Sequence, residues 1–327
     1  MHLLRSCALP RLGALALLVH AVGCQPSDAP PARPDSAASE VASIPAWGSD
    51  ATFDVGTWNV DWFGDSGNGP GDDALQLRGL REVIEAAEVD LWALQEVVDA
   101  AAFDELLAAL PGYDGLIADD PAVAGGPEWY RDFGDREQKL ALIWRTDAVE
   151  VGAARIVLTG ENHAFAGRPP LEVELRLDPE GSPIEAVAVL LHGKASADEE
   201  SRGRRERAAQ ALHRHLTATR PTAPVWVLGD FNDDVDTSIV SGAASPYRVF
   251  VDAPDWSFAT SALSEQGLSS TVGYADMIDH HLVSDEAAAW YVSGSAEAWR
   301  VDRWIDDYGR TTTDHYPVLT RYTLPGR

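Results

Sequence analysis

The chain has 327 residues, of which 45% are hydrophobic and 24% are charged, and its formal net charge is −27. This composition can support a large hydrophobic core and excludes a chain that is disordered throughout. The excess of acidic residues opposes diffuse binding to polyanions, because nucleic-acid affinity depends on neutralising phosphates with lysine and arginine. A phosphodiester substrate would therefore need a local cation.

The N-terminal segment, residues 1–24, has the pattern of an export signal. Two arginines precede an apolar stretch from Leu12 to Val22, and small residues then lead to Cys24. The segment resembles a bacterial lipoprotein signal peptide, in which the cysteine is acylated and becomes the new N-terminus. Ordinary secretion and a retained anchor are the alternatives, although the apolar stretch is too short to span a bilayer as a helix. Gln25 replaces the aspartate that commonly retains such lipoproteins at the inner membrane, which favours the outer membrane.

Residues 25–46 are rich in Pro, Ala and Ser and show no apolar periodicity. We therefore predict a flexible tether, with an ordered arm as the alternative. Both cysteines, Cys7 and Cys24, precede the folded part, so its stability must come from packing rather than from disulfides. The remainder shows no repeat of fixed period, and we predict one domain over residues 47–327.

The predicted elements of this domain begin with a strand over residues 52–58 and a helix with apolar residues from Leu77 to Ala87 at helical spacing. A buried strand over residues 89–94 and a helix that ends before Pro111 follow. Further strands are predicted over residues 140–145, 149–158, 171–177, 184–191 and 225–228, with a helix over residues 202–216. This pattern predicts an α/β four-layer sandwich, in which two mixed, mainly antiparallel β-sheets pack face to face with helices outside.

Polar side chains follow or interrupt the apolar runs at nine positions. They are Asn59, Asp61, Glu96, His192, Asp230, Asn232, Asp279, Asp314 and His315. Acids that cluster without a cation force protons onto one another by mutual repulsion. The Asp, Glu and Asn residues among them form an all-oxygen ligand set. Such a set suits a hard ion such as Mg²⁺, with Mn²⁺ or Ca²⁺ as alternatives, rather than Zn²⁺. Such an ion would offset the repulsion and polarise a phosphoryl oxygen.

The order and spacing of these residues resemble the endonuclease/exonuclease/phosphatase superfamily, whose relatives include deoxyribonuclease I, abasic-site endonucleases, sphingomyelinases and inositol polyphosphate phosphatases. The resemblance covers most of residues 53–323. It rests on six motifs, which are Thr57-Trp58-Asn59-Val60-Asp61, Leu94-Gln95-Glu96-Val97, Leu191-His192-Gly193, Gly229-Asp230-Phe231-Asn232, Ile278-Asp279-His280 and Thr313-Asp314-His315-Tyr316-Pro317. In the histidine motif, Leu191 replaces a frequent asparagine and Gly193 a frequent leucine.

The resemblance implies a metal site and indicates which residues bind the ion. Glu96 would be the principal ligand of the divalent ion. Asn59, Asp61 and Asp314 would line the same site.

The resemblance also implies catalytic roles for the remaining polar residues. Asp230 would orient or deprotonate the attacking water, Asn232 would hold the phosphate, and His192 would lie at the scissile phosphate. Asp279 would bond to His315, which would act as a base or stabilise the transition state.

Taken singly, each motif also has a simple structural interpretation, such as an Asx turn at Asp230 or a strand terminus at Glu96. The ordered occurrence of all six favours an active site. Two weaker similarities to bacterial members, residues 138–141 and 168–171, carry little weight. We interpret three further basic residues, Arg204, Arg207 and Arg214, as part of a solvent-exposed helix face.

We expect a metal-dependent hydrolase of phosphoester bonds, namely an exported endonuclease-like enzyme that cleaves a phosphodiester, with DNA as the favoured partner. A phosphatase or phospholipase of the same fold, acting on lipid or sugar phosphates, is the first alternative. A surface-binding lipoprotein without activity is the second. We expect a monomer that contacts the membrane only through its N-terminal lipid anchor, located at the cell envelope or secreted.

Overall fold

The structure is a computed structural model and describes residues 43–130, 137–178 and 181–326. The predicted signal peptide and most of the predicted tether lie outside the described residues. Ile44, near the start of the described part, packs against the hydrophobic core. Across these three ranges, no helix combines the length and the apolar character needed to cross a membrane.

The described residues contain thirteen strands and eight α-helices. The strands are β1 (Phe53–Phe63), β2 (Leu91–Val97), β3 (Tyr113–Ile117), β4 (Val123–Ala124), β5 (Lys139–Arg145), β6 (Val149–Ile156), β7 (Leu171–Leu177), β8 (Ile184–His192), β9 (Val225–Asp230), β10 (Trp256–Phe258), β11 (Asp279–Ser284), β12 (Glu297–Ala298) and β13 (Val318–Tyr322). The helices are α1 (Asp73–Ala87), α2 (Ala100–Ala108), α3 (Gly126–Trp129), α4 (Glu199–Thr219), α5 (Arg248–Val251), α6 (Ser261–Glu265), α7 (Asp285–Ala288) and α8 (Tyr308–Thr311).

The strands form two mixed sheets. The first has the order β12-β13-β1-β2-β5-β3, and the second has the order β10-β11-β9-β8-β7-β6-β4. Strands β1 and β2 are parallel, as are β8 and β9 and the short pair β4 and β6, whereas the other neighbours are antiparallel. The predicted fold class is therefore confirmed.

Three hydrophobic clusters account for the layers. Between the sheets, Val55 of β1 and Leu190 of β8 belong to one buried cluster that also includes Trp226 of β9. Helix α1 buries Leu80 and its neighbours against the outer face of the first sheet, and α4 buries Leu212 against the outer face of the second. Because each sheet is apolar on both faces, burial of apolar surface holds all four layers together.

The structure corrects the predicted ends of several elements. Strand β1 continues to Phe63 and β2 to Val97, with shifts of register between Asn59 and Phe63 and between Leu94 and Val97. Such shifts mark β-bulges, which insert residues without ending the strand and leave no clear signature in the alternation of apolar residues. Asn59 therefore lies within its strand rather than after it. Asp61 and Glu96, between those register shifts, also lie within strands.

A histidine in strand β11 is buried between the sheets and contacts a neutral hydroxyl group. The Nδ1 atom of His281 lies 2.6 Å from the hydroxyl oxygen of Thr320, whose own hydrogen is donated to the hydroxyl of Tyr322 at 3.1 Å. His281 is fully buried. Burial, assisted by the neighbouring His280, lowers the pKa of His281 to about 3, so the ring is neutral in the folded protein.

His281 should make the fold sensitive to acid. Because its folded-state pKa lies below the ordinary value of 6.5, its contribution is complete above pH 6.5 and is lost as pH falls toward the folded value. Between pH 7 and pH 5 we expect this residue to cost about 2 kcal/mol of unfolding free energy. Urea unfolding should show a loss that is about 2 kcal/mol smaller in His281→Phe than in the wild type and in the exposed control variant His163→Phe, because the buried His192 and His280 still contribute in all three proteins. The same pH dependence in all three proteins would contradict the assignment.

Candidate active site

The two central pairs of parallel strands bring four of the predicted residues to one edge of the sandwich. In the second sheet, His192 at the end of β8 pairs in register with Asp230 at the end of β9. In the first sheet, Asn59 of β1 pairs with the residue before Glu96 on β2. Since the carboxyl ends of parallel strands meet at the same edge, both sheets present polar side chains there.

The side-chain amide of Asn59 joins these two sets of residues. Its Nδ2 atom donates to Oε1 of Glu96 at 3.0 Å and to Oδ2 of Asp230 at 3.1 Å. The Nε2 atom of His192 lies 3.6 Å from the same Glu96 oxygen and 3.5 Å from the same Asp230 oxygen. Residues more than 170 positions apart in sequence thus share one cluster of hydrogen bonds and close charges.

The backbone is strained where the first sheet reaches this cluster. Asp61, Trp62 and Glu96 have φ values of 48°, 52° and 66°, which are unfavourable for residues other than glycine. The bulged loop is fixed by two contacts, from the amide of Trp62 to Oε2 of Glu96 at 3.2 Å and from the amide of Asp61 to Oδ1 of Asn59 at 3.1 Å. The bulges therefore aim two carboxyl groups at one point.

The carboxyl group of Asp61 shows how strongly the acids repel one another. Burial, together with the nearby carboxylates of Asp314 and Glu96, raises the pKa of Asp61 to about 7. Asp314 is exposed, and its Oδ1 atom lies 3.8 Å from Nε2 of His315. The cluster therefore opens to solvent on the side of Asp314.

His315 and Asp279 form a buried pair behind this cluster. The Nδ1 atom of His315 donates to Oδ2 of Asp279 at 2.8 Å, and the hydroxyl of Ser270 donates to the same oxygen at 2.6 Å. Burial alone would lower the pKa of His315, but the Asp279 carboxylate holds it well above its ordinary value. Burial and the charge of Asp279 together raise the pKa of Asp230 to about 7.

The ends of β8 and β9 pack closely around two glycines, Gly229 within β9 and Gly193 directly after β8. A Cβ atom on Gly229 would lie 1.9 Å from the carbonyl oxygen of Leu191, and one on Gly193 would lie 2.4 Å from that of Phe231. The absence of side chains lets Asn232, which has a φ of 54°, donate from Nδ2 to the carbonyl oxygen of Gly193 at 3.3 Å. Gly193, which departs from the frequent leucine, is therefore required by the local packing.

All nine predicted residues thus lie in one connected site. Two features inside it could hold a cation. Asp230, Asp279 and His315 offer ligand atoms within 4.8 Å of one another, but the Nδ1 atom of His315 is already bonded to Asp279. The all-oxygen group of Asn59, Asp61, Glu96 and Asp314 reaches solvent at Asp314, and the charges of Glu96 and Asp314 contribute to the raised pKa of Asp61, so this group fits a hard divalent ion better.

Two residues that sequence reasoning did not place in the site also contribute to it. Ser270 fixes the Asp279 carboxylate and lies in a loop whose sequence carries no distinguishing pattern. Arg168 donates from Nη2 to the carbonyl oxygen of Gly193 at 2.9 Å. The weak similarity over residues 168–171 was the only sequence signal for Arg168.

A cavity of about 540 Å³, lined by Glu88, Tyr113 and Arg145 among others, contains none of the site residues.

A two-sheet sandwich with acids and imidazoles at one edge defines a hydrolase-type site. The Endonuclease/Exonuclease/phosphatase family model matches residues 56–315, and the chain belongs to this family. Members of the family are hydrolases that act on phosphoester bonds. No curated protein sequence matches this chain.

Solved structures share the fold at low sequence identity. The human Nocturnin catalytic domain with bound sulfate anion is 18% identical, with 84% of this chain and 95% of that chain covered and a TM-score of 0.56. D. rerio TDP2 complexed with a single-strand DNA product is 15% identical, with 84% and 100% covered and a TM-score of 0.58. The mannosyl-6-phosphatase of Bacteroides thetaiotaomicron is 16% identical, with 82% and 98% covered and a TM-score of 0.53.

A divalent ion should stabilise the protein, because it would offset the repulsion among the acids. At a concentration of about 100 times its dissociation constant, Mg²⁺ or Mn²⁺ should raise the melting temperature by about 5 °C. The variant Glu96→Gln should bind the ion at least tenfold more weakly in calorimetric titration. Glu150→Gln, which changes an exposed glutamate of β6, is the matched control. Equal affinities in Glu96→Gln and the control would exclude Glu96 as a ligand.

Proposed function

We propose that this protein is a divalent-metal-dependent phosphoesterase that hydrolyses a phosphodiester by in-line attack of water. The observation that carries the proposal is the bridge from Asn59 to Glu96 and Asp230, because one amide contacts an acid of each sheet. It supports the assignment of Glu96 to the metal and of Asp230 to the attacking water. Mg²⁺ is the favoured ion, and when bound it would polarise a phosphoryl oxygen. Glu96, with Asn59, Asp61 and Asp314, would hold it.

The chain's own residues would carry out the remaining steps. Asp230 aligns the attacking water, since its carboxylate is buried at the end of β9 and faces the centre of the cluster. Asp279 fixes the orientation of His315, which acts as a base or stabilises the developing charge. His192 and Asn232 donate to the phosphoryl oxygens as negative charge grows on them.

Within this class we favour a nuclease-like activity on DNA. The fold is shared with D. rerio TDP2, which was solved with a single-strand DNA product, and equally with a mannosyl-6-phosphatase. The net charge of −27 weakens attraction to a polyanion and keeps a phosphatase or phospholipase activity on sugar or lipid phosphates as a second candidate. Substrate choice is therefore the part of the proposal that experiment must decide.

Hydrolysis of bis(p-nitrophenyl) phosphate tests the chemistry. We expect activity with Mg²⁺ or Mn²⁺, and a loss of about 10³-fold in kcat for both Asp230→Asn and His315→Gln. Both variants should keep the wild-type circular dichroism spectrum. The exposed substitutions Asp252→Asn and His163→Gln serve as matched controls and should keep full activity.

Plasmid nicking, measured beside phospholipid and phosphomonoester substrates, then distinguishes the two candidate substrate classes. Faster turnover of plasmid supports the nuclease, and faster turnover of a monoester or phospholipid supports the alternative. Complete inactivity with several divalent ions on every substrate would overturn the proposal in favour of a surface-binding lipoprotein.

We also infer that the protein is exported and anchored by an acylated Cys24. The support is the sequence of residues 1–24, which resembles a lipoprotein signal peptide. Radiolabelled palmitate should label the wild-type protein expressed in a bacterial host and should fail to label Cys24→Ser. Cys7→Ser is the control and should remain labelled. Labelling of Cys24→Ser at the wild-type level would refute acylation at this position.

A further inference from the structure

An arginine beside the catalytic residues has no role in the mechanism described so far. Arg168 immediately precedes Pro169 and Pro170, which restrict the backbone to an extended conformation. The hydroxyl of Tyr130 donates to the carbonyl oxygen of Pro169 at 2.6 Å, and the amide of Val157 donates to that of Pro170 at 2.9 Å. The side chain of Arg168 therefore starts from a rigid point at the entry of β7.

The guanidinium group of Arg168 is fixed at the edge of the site. Its Nη1 atom donates to Oε1 of Gln138, and its Nη2 atom donates to the carbonyl oxygen of Gly193 at 2.9 Å. The Nδ2 atom of Asn232 donates to that same carbonyl oxygen at 3.3 Å. Because the two donors share one acceptor, the Arg168 guanidinium lies beside the side chain that we assign to the phosphate, and next to the loop of His192.

Arg168 keeps unused hydrogen-bonding capacity. A guanidinium has five N–H donors, and only two protein acceptors for them are found among the described residues. Its Nε atom has no partner there, and no carboxylate in the described ranges forms an ion pair with it. Burial lowers the pKa of Arg168, while the charges of Glu96 and Asp230 act in the opposite direction. The group is thus a fixed cation near the acids, and no carboxylate among the described residues contacts it directly.

We propose that Arg168, together with Asn232 and His192, forms the anion subsite for the non-bridging oxygens of the substrate's phosphoryl group. This inference rests on the proposed function and adds a catalytic residue to it. The planar fork of arginine matches phosphate geometry better than a lysine ammonium does. It also supplies the local cation that a phosphodiester requires in a protein with a net charge of −27.

A purely structural role for Arg168 is the competing explanation, since the residue also holds the carbonyl group of Gly193. The two roles differ in their effect on phosphate binding. A residue with a purely structural role affects folding and turnover. A residue of an anion subsite also determines the affinity for free phosphate, and its effect depends on positive charge. The experiment must therefore measure phosphate affinity as well as activity.

The test compares Arg168→Gln and Arg168→Lys with the wild type in hydrolysis of bis(p-nitrophenyl) phosphate and in inhibition by inorganic phosphate. In Arg168→Gln we expect kcat/KM to fall about 10²- to 10³-fold and the inhibition constant of phosphate to rise at least tenfold. Arg168→Lys should recover part of both losses because it retains the charge. Binding of Mn²⁺ should stay within twofold of the wild type in both variants.

The control is Arg202→Gln, because Arg202 is a half-buried arginine that also donates to a backbone carbonyl, that of Ala244, but contacts none of the site residues named above. It should behave as the wild type. Activity of Arg168→Gln within threefold of the wild type would overturn the inference. So would a large loss of activity with an unchanged phosphate inhibition constant and no recovery in Arg168→Lys, since that result assigns the residue a structural role.

A measurement on the wild-type protein covers the case in which Arg168→Gln does not fold. Crystals grown with Mg²⁺ and inorganic phosphate should show a phosphate oxygen within about 3.2 Å of a guanidinium nitrogen of Arg168. Phosphate bound elsewhere, or absent, counts against the subsite. If the wild type binds phosphate in this way but hydrolyses no ester, the proposed function fails while the subsite stands.

Discussion

The site depends on keeping several carboxylates close together without protonating them all. Burial and mutual repulsion raise the pKa of both Asp61 and Asp230 to about 7, so the protein alone does not neutralise this cluster. Asn59 is the residue that makes the arrangement possible, because its amide can donate to Glu96 and Asp230 at once and adds no charge. A carboxylate in its place would increase the repulsion that it relieves.

The topology explains why this crowding occurs at one edge. Most strand neighbours are antiparallel, so their ends alternate, but the central pairs β1–β2 and β8–β9 are parallel. Each pair therefore delivers two polar residues to the same end, and packing of the two sheets brings the pairs face to face. The antiparallel strand β11 begins at this edge, which places Asp279 opposite Asp230 in register. The site is thus a consequence of strand direction as much as of residue type.

Sequence reasoning succeeds where a long apolar run ends in a polar residue, as at His192 and Asp230. It predicts Asp61 and Glu96 as site residues but ends their strands too early, because a β-bulge changes the direction of a side chain without interrupting the apolar run. Short strands such as β10 and β12 lack enough residues to show a period of two. Arg168 was underestimated for a different reason, since its partners Gln138 and Gly193 are 30 and 25 residues away. Such contacts exist only in the folded chain.

The assembled site has two sides that differ in their chemical groups. On the side of the first sheet, Glu96 and its neighbours present oxygen atoms suited to a hard cation. On the side of the second, Arg168, His192 and Asn232 add nitrogen donors beside the carboxylates of Asp230 and Asp279. Burial, followed by the charge of Arg168, lowers the pKa of His192 well below its ordinary value, so its ring is neutral and does not cancel the nearby acids. Asn59 lies at the border between the two sides. A phosphoester is the chemical group that matches this division, since its oxygens can bind a cation on one side and accept N–H donors on the other.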